Sequence, residues 1–407
     1  MLARLPCVTH GLAMDKADEL VARGADRHRA GRLEEAESLY RRGLRLNPNH
    51  PDALNLLGVA LRQRGRLAEA LPLAARAAAL LPGVANVQAN YGAALAEAGQ
   101  LPEAIARMQA ALNMAPDDAM TWRNLGQAMM AGGAAAAALG PLERAVALAP
   151  GAPEAWLALA HARREAGDAE GARAAAQRVL ERASRAPALA ENARFLLAAL
   201  GEGALPDRAP AAYVRELFDQ FAPRFDAELE GALRYQTPAL LAEALAAQGA
   251  GGTVLDLGCG TGLSGVALKP VARRLEGVDL SPRMLDAARA RGVYDALHEA
   301  DLLAFLPRRR AAWDVIAAAD VLNYLGDLAP VLGAMRAALK PGGTAAFSIE
   351  TGEAAPFALG QGMRYRHAAA HVTQLAEAAG FTVLAAQACT LREEKAAAVP
   401  GALFVLR

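Results

Sequence analysis

The sequence predicts an α-helical repeat stack followed by a doubly wound α/β domain, and three observations carry that prediction. A gapless 34-residue period runs from Ala17 to Ala186. A Gly- and Pro-rich stretch without periodicity, GEGALPDRAPA at 201–211, ends it. Beyond that stretch, short apolar runs alternate with helical patterns, as they do in a mainly parallel sheet.

The five windows of the first half are Ala17–His50, Pro51–Val84, Ala85–Asp118, Ala119–Ala152 and Pro153–Ala186. Their eighth position reads Gly24, Gly58, Gly92, Gly126 and Ala160, and their twentieth is alanine throughout, from Ala36 to Ala172. Small residues at these two places let a pair of antiparallel helices approach closely. Gly31, Gly65, Gly99, Gly133 and Gly167 fall between the helices, where a helix end needs a left-handed residue. Pro48, Pro82, Pro116 and Pro150 stop the second helix of each window. Only Ser184 breaks that series. Pro187–Leu200 reads as one more amphipathic helix, placed to cap the stack. The expected division is a short extension at 1–14, repeats over 15–200, a linker at 201–211 and a second domain at 212–407.

The whole-chain properties narrow the function. Equal numbers of basic and acidic residues give a formal net charge of zero, and no dense basic run is interleaved with aromatics, which argues against a nucleic-acid surface. No unbroken apolar run is long enough to span a membrane. Cys7, Cys259 and Cys389 are far apart and odd in number, so neither a metal site nor a disulfide framework is expected, and a reducing cytoplasm is. Met1–Ala13 is too interrupted for a signal peptide, and Met14 offers an alternative start.

The seven apolar runs of the second half are Thr253–Leu257, Leu275–Val278, Ala296–Glu299, Asp314–Ala319, Thr344–Ile349, Phe381–Ala386 and Leu403–Leu406. The first leads directly into Asp256-Leu257-Gly258-Cys259-Gly260-Thr261-Gly262. A glycine-rich turn after a first strand lets a ligand approach backbone amides and the next helix N-terminus. Leu263 stands where a dinucleotide fingerprint needs its third glycine, and no Gly-Lys-Ser/Thr follows to make a phosphate loop. Asp256 would repel a pyrophosphate, but it suits a ligand bearing an ammonium and a sulfonium. The second strand ends in Asp279-Leu280, placed to accept ribose hydroxyls. The third ends in Asp301-Leu302, a carboxylate for an adenine amino group with a backbone N–H beside it. Each aspartate alone reads as a helix cap or a turn residue. Three in order beside the glycine turn point to S-adenosylmethionine.

With these motifs the second half resembles the class I methyltransferases, and the first half resembles tetratricopeptide repeats. The likeness extends to Tyr213–Leu241, Ala318–Leu328, Phe347-Ser348-Ile349-Glu350 and Arg364-Tyr365-Arg366-His367. The resemblance implies a Rossmann-like, mainly parallel seven-stranded sheet with a final antiparallel hairpin. It implies cofactor contacts from Asp256, Gly258, Cys259, Gly260, Gly262, Asp279, Leu280, Asp301, Leu302 and Asp320. It also implies a repeat groove that takes a protein or peptide partner.

Candidate chemistry beyond the cofactor rests on fewer residues. Asp320, just past the fourth strand, either orients or deprotonates a nucleophile or caps a helix. Tyr324 flanks the cofactor, and Tyr213, Phe218, Phe221 and Phe225 form either a lid or a packing face. Arg364 to His367 fall in a loop, where two arginines and His367 could hold an acidic substrate or supply a base. His298 is structural, and Cys259 reads as a small packing residue. Asn55, Asn90 and Asn124 face the groove as peptide ligands or as plain repeat residues, and Trp122 and Trp156 as packing. No metal-ligand cluster is present in the sequence. Three functions stay open: a methyltransferase whose repeats recruit a protein, a catalytically silent cofactor-binding interaction protein, and a small-metabolite methyltransferase whose repeats serve assembly.

Overall fold

A computed structural model describes residues 15–229, 235–353, 356–360, 362–394 and 397–407. The expected extension with Cys7 and Met14 lies outside the described residues, as do positions 230–234 of the Tyr213–Leu241 segment. The chain divides into two compact units, one up to Ala172 and one from Arg173 onward. Among the described residues no helix is long and apolar enough to cross a membrane.

The first unit is a run of helices at the expected period. Four pairs are α1 (Lys16–Arg29) with α2 (Leu33–Leu46), α3 (Pro51–Gln63) with α4 (Leu67–Leu80), α5 (Ala85–Glu97) with α6 (Leu101–Met114), and α7 (Ala119–Ala131) with α8 (Ala135–Leu148). Then come α9 (Pro153–Glu165) and α10 (Ala169–Arg182), the latter divided between the units. Gly31 to Gly167 have φ between +74° and +88°, so their lack of a side chain is needed for the turn. The eighth-position glycines act differently. A Cβ on Gly24, Gly92 or Gly126 would stand 2.6, 2.8 or 2.5 Å from Tyr40, Met108 or Leu142. The tightest approach is therefore to the twenty-fourth position, while the carbonyl of the twentieth lies close as well, Ala104 O at 3.1 Å from a Cβ on Gly92 and Ala70 O at 3.4 Å from one on Gly58. Gly58 faces the smaller Ala74, and its added Cβ would meet only ordinary contacts. Trp122 and Trp156 donate their indole N–H to the carbonyls of Pro116 and Pro150 at 2.8 and 3.0 Å, which fastens each helix start to the preceding turn. The Asn90 amide donates to Asn55 Oδ1 at 3.0 Å, which ties these two residues together.

The second unit contains α11 (Pro187–Ala199), whose Phe195 is fully buried against the rings of Tyr213 and Tyr365. Residues 206–209 then run beside the loop after the fourth strand. The Ala209 amide donates to Tyr324 O at 2.9 Å, and the amides of Gly326 and Asp327 donate to Asp207 O. Helix α12 (Ala211–Phe221) and the short α13 (Phe225–Ala227) follow, and then α14 (Thr237–Ala247).

The sheet comprises β1 (Gly252–Leu257), β2 (Ala272–Asp279), β3 (Ala296–Glu299), β4 (Trp313–Ala318), β5 (Leu339–Glu350), β8 (Val383–Glu394) and β9 (Ala397–Leu406). Its order is β3-β2-β1-β4-β5-β9-β8, with the first five strands parallel and β9 antiparallel to β5 and β8. Val254, Leu255, Val315, Ile316, Ala345 and Phe347 are fully buried, as strands covered on both faces require. Helices α15 (Leu263–Leu268), α16 (Pro282–Arg291), α17 (Leu302–Phe305), α18 (Ala329–Ala338) and α19 (Ala369–Ala378) make the crossovers. The expected loop around Arg364 is instead a small hairpin, β6 (Phe357–Leu359) with β7 (Tyr365–His367). The reason is a period of two that three residues barely display, with Tyr365 and His367 buried and Arg366 exposed.

Candidate functional site

The order of β1, β2 and β4 brings their carboxyl ends together, where ligands bind in open α/β sheets. A cavity of about 280 Å³ lies there. On one side it is lined by Gly258, Gly260, Asp279, Leu280, Asp301 and Leu302, and on the other by Asp320, Asn323, Tyr324, Arg364, Arg392 and Glu394.

The glycine turn holds the backbone against this space. Gly258 has φ +71°, and a Cβ there would stand 2.4 Å from Val321. Both conformation and space exclude any other residue. The Gly258 and Cys259 amides donate to Val278 O at 2.8 and 3.1 Å, which ties the turn to β2. Gly262, at φ +93°, starts α15 outside the cavity lining. Cys259 is buried beneath the turn, packed at Gly277, and burial pushes its thiol far above the usual range. It packs and does not ionise.

Asp256 also lies beneath the turn, fully buried and behind the cavity lining. Its Oδ2 accepts from Ser264 Oγ and Tyr294 OH at 2.6 Å each, whereas Oδ1 is buried without a hydrogen-bond partner. Burial pushes its carboxyl up to about 6. Asp279 accepts from the amides of Gly260 at 2.9 Å and Ser281 at 2.8 Å, and burial raises its carboxyl as well. Asp301 caps α17 through the amides of Leu303 and Ala304, and Arg208 pairs with it. Asp301 is thus a helix cap, and it also lines the cavity.

The segment before β1 forms a strap beside the cavity. Phe218, Phe221 and Phe225 line it, with Phe218 edge-on to Tyr324 at 5.4 Å. Ser281 Oγ donates to Asp219 at 2.6 Å, and Arg291 pairs with Asp226. Helix α12 has no buried residue, so these polar ties and the aromatic edges hold it.

A charge cluster closes the other side. Arg392 Nη1 donates to Asp320 at 3.0 Å, Nε donates to Glu394 at 2.8 Å, and Nη2 pairs with Glu350. Arg364 donates to Glu350 at 2.7 Å and to both oxygens of Glu394 at 2.7 and 2.6 Å. Asp320 has φ +53°, a left-handed backbone that its environment must hold in place. Its own amide donates to Ser348 Oγ at 2.8 Å, and that hydroxyl donates back to Asp320 Oδ1 at 2.7 Å. Burial raises the Asp320 carboxyl. For Glu350 burial pulls the same way, but Arg364 and Arg392 override it and hold its carboxyl below the usual range. Sequence reasoning missed Arg392 and Glu394, which sit on the last hairpin of the sheet with no motif around them.

Of the four residues Arg364 to His367, only Arg364 lines the cavity. Tyr365 OH donates to Pro206 O at 2.7 Å. His367 is buried on the other face of β7, and its Nε2 donates to Gly326 O at 3.0 Å. Burial lowers its imidazole pKa, and its alternation with the exposed Arg366 directs it away from the cavity. His298 stands at the end of β2's neighbour β3, with Nε2 3.3 Å from Glu276.

Residues 225–386 match a family described as a methyltransferase domain, and residues 21–85 and 92–153 match a tetratricopeptide repeat. The chain is 41% identical over 85 residues to the ribosomal protein L11 methyltransferase of Thiobacillus denitrificans, covering 20% of this chain and 28% of that one. It is 35% identical over 100 residues to a ubiquinone biosynthesis O-methyltransferase of Xylella fastidiosa, covering 23% and 39%. It is 34% identical over 154 residues to the trans-aconitate 2-methyltransferase of Methylobacterium radiotolerans, covering 37% and 53%. The chain thus spans about a quarter to a half of the length of these relatives. Arg208, Arg392 and Glu394 fall outside the matched domain. The orphaned oxygen of Asp256, the Cβ-free turn at Gly258 and the lining carboxylates Asp279 and Asp301 fit a ligand that carries an ammonium, a ribose and an adenine. The chain joins tetratricopeptide repeats to a class I methyltransferase domain whose cofactor is S-adenosylmethionine.

Proposed function

We propose that the protein methylates an acceptor brought to it through its repeats, a protein or a peptide-bearing partner. One observation carries the catalytic half: the glycine turn and the carboxylates of Asp279 and Asp301 converge on one cavity, with the unpaired Asp256 oxygen behind it. Asp256 would attract the ammonium group, Asp279 the ribose hydroxyls, and Asp301 with the Leu302 amide the adenine edge. Gly258, Cys259, Gly260, Gly262 and Leu280 shape the backbone around them. The cofactor supplies a methyl group on a positively charged sulfur, so the residues' task is to position a nucleophile and exclude water. Asp320 and Tyr324 face that task from the far side of the cavity, and Phe218, Phe221 and Phe225 shield it. His367, turned to the Gly326 carbonyl, takes no part in this proposal.

Two kinds of acceptor are named among the relatives, a ribosomal protein and small molecules, so likeness does not choose between them. The repeats favour the protein. The test is calorimetry of S-adenosylmethionine on the full chain, with Asp279→Ala and Asp256→Ala as comparisons. Binding weakened at least tenfold by each variant supports the assignment. No binding to the unaltered chain, or binding that neither variant weakens, refutes it. For the acceptor, label transferred to the protein fraction of a cell extract supports recruitment, and label found only on metabolites refutes it.

A further inference from the structure

One side chain from the segment after α11 enters the cofactor cavity. Arg208 lies outside residues 225–386, the stretch that matches the methyltransferase family, yet it lines the cavity together with Asp301. Its backbone is fixed on both sides. The Ala209 amide donates to Tyr324 O at 2.9 Å, and the amides of Gly326 and Asp327 donate to Asp207 O at 2.8 and 3.0 Å. Arg208 itself bridges Leu325 in an antiparallel pairing, and Tyr365 OH donates to Pro206 O at 2.7 Å. None of these contacts uses the Arg208 side chain.

That side chain forms a fork on Asp301. Nη1 donates to Oδ1 at 3.4 Å, and Nη2 pairs with Oδ2. The two oxygens differ in what else they hold. Oδ1 also caps α17, accepting from the amides of Leu303 at 2.9 Å and Ala304 at 3.3 Å. Among the described residues, Oδ2 accepts from Arg208 alone. A carboxylate oxygen takes about two hydrogen bonds, so Oδ2 keeps room for one further donor. The Arg208 and Asp301 side chains are 36% and 22% exposed, so a ligand can reach them. Ala209, Ala300, Leu302 and Leu325, each next to one of the pair or bridged to it, line the cavity with them. The neighbouring pair, Arg215 with Glu299 at 3.2 Å, stands outside the lining. The other arginines of the lining, Arg364 and Arg392, are held by Asp320, Glu350 and Glu394.

We propose that Arg208 positions Asp301 to read the 6-amino group of the cofactor's adenine. The proposal rests on the assignment of Asp301 to the adenine edge. The apolar neighbours take the faces of a flat ring, and the amino N–H takes the open place on Oδ2. Two cap amides hold one oxygen and the guanidinium fork holds both, so the carboxylate is kept from rotating away from the base. Arg208 acts through Asp301 and is a positioning residue. The segment that joins the repeats to the methyltransferase domain is thereby part of the cofactor site.

The test is calorimetry on the full chain with two ligands. One is S-adenosylhomocysteine, and the other is its 6-deamino analogue, in which hydrogen replaces the amino group. The unaltered chain should prefer the first. Arg208→Ala should weaken S-adenosylhomocysteine about 3- to 10-fold, a hydrogen bond's worth discounted for partial exposure, and leave the analogue's Kd within twofold. Arg208→Lys, which keeps a charged donor without the fork, should recover part of the loss. Asp301→Ala and the double variant should bind S-adenosylhomocysteine alike, because the arginine acts through the aspartate. Equal weakening of both ligands would mark Arg208 as merely structural, and tighter binding of S-adenosylhomocysteine would mark it as a plug. A further loss in the double variant would mean that Arg208 touches the ligand directly. Each of these overturns the proposal while leaving cofactor binding intact. Binding of neither ligand to the unaltered chain overturns the cofactor assignment and this proposal with it. Should Arg208→Ala misfold, Arg208→Lys decides, and an undiminished preference for the amino ligand overturns the proposal.

Discussion

The two units contain mirror-image charge clusters. In the first, Glu37 is surrounded by Arg41, Arg64 and Arg66; in the second, Arg392 is surrounded by Asp320, Glu350 and Glu394. The surroundings differ more than the signs. Arg41 and Arg66 have side chains 41% and 37% exposed, and each has a second acid in Glu69. Arg392 is 7% exposed, and its acids lie on or just beyond the ends of three strands. The first cluster, whose central Glu37 is as buried as Arg392 but whose arginines reach water, is partly screened and holds neighbouring repeats in register. A buried one is expensive to break and can be set to receive a ligand.

The most damaging test removes the central cation. Arg392→Met would leave three acids around a cavity with only Arg364 and the exposed Arg366, 3.9 Å from Glu350, to offset them. A cost of about 3–5 kcal/mol is expected for losing one partner of a buried ion cluster. Urea unfolding should show the second unit's midpoint shifted and the first unit's unmoved. A small shift would mean that water already screens the cluster and would remove the contrast between the two units.

Removing the central anion of the first cluster should cost less. Glu37→Gln keeps the shape and leaves Arg41 and Arg66 with Glu69 and Arg64 with Glu34. The expected loss is about 1–2 kcal/mol, the value of hydrogen bonds to a charged group with substitutes at hand. It is read from the first transition in the same unfolding experiment. A loss equal to that of Arg392→Met would show that exposure does not separate the two clusters.

This contrast also explains what was legible in the sequence. The repeats were readable because each contact recurs 34 residues later, so Gly24, Gly92 and Gly126 state the same constraint three times. Their true partners, Tyr40, Met108 and Leu142, were missed because that position varies from aromatic to alanine. The glycine turn and the aspartates after β1, β2 and β3 were readable because they follow strands in order. Across the cavity Asp320, Tyr324 and Arg364 were readable, but their partners Arg392 and Glu394 were not. Asp320 and Arg392 are 72 residues apart and meet only through the sheet order, with β9 inserted beside β5. Alternation too short to register hid β7, and with it the burial of His367.

Titration offers an intermediate effect of opposite sign in the two units. Burial raises Asp256 to about 6, so the folded chain holds that proton more tightly than the unfolded one. Its contribution to stability is full below the ordinary aspartate range and is lost as pH rises through about 6. Glu37 is held below its usual range, where burial is outweighed by Arg41 and Arg66, so its contribution is present at neutral pH and lost in acid. Cofactor binding should follow Asp256, because an ammonium needs the ionised carboxylate. With a carboxyl near 6, affinity at pH 5 should be about tenfold weaker than at pH 7, or about 1.4 kcal/mol. Asp256→Asn should bind more weakly at pH 7 and show a flat profile between those values. A tenfold slope surviving in Asp256→Asn would assign the proton to another group.

The smallest expected effect belongs to the strap, where polar ties act without burial. Helix α12 buries none of its residues, and Asp219 reaches Ser281 through a single hydrogen bond. Asp219→Ala should cost about 0.5–1.5 kcal/mol locally, as one partly solvated bond does. That is too little to move either unfolding midpoint if the strap opens independently of the sheet. Amide hydrogen exchange over residues 211–221 should quicken by about three- to tenfold, while exchange in β1 and β4 stays constant. S-adenosylhomocysteine should slow it again, because Phe218, Phe221 and Phe225 line the cavity it would occupy. Equal quickening in the strap and in β1 would show that the strap is part of the cooperative core. No quickening in either would show that the aromatic edges, rather than this hydrogen bond, hold the strap.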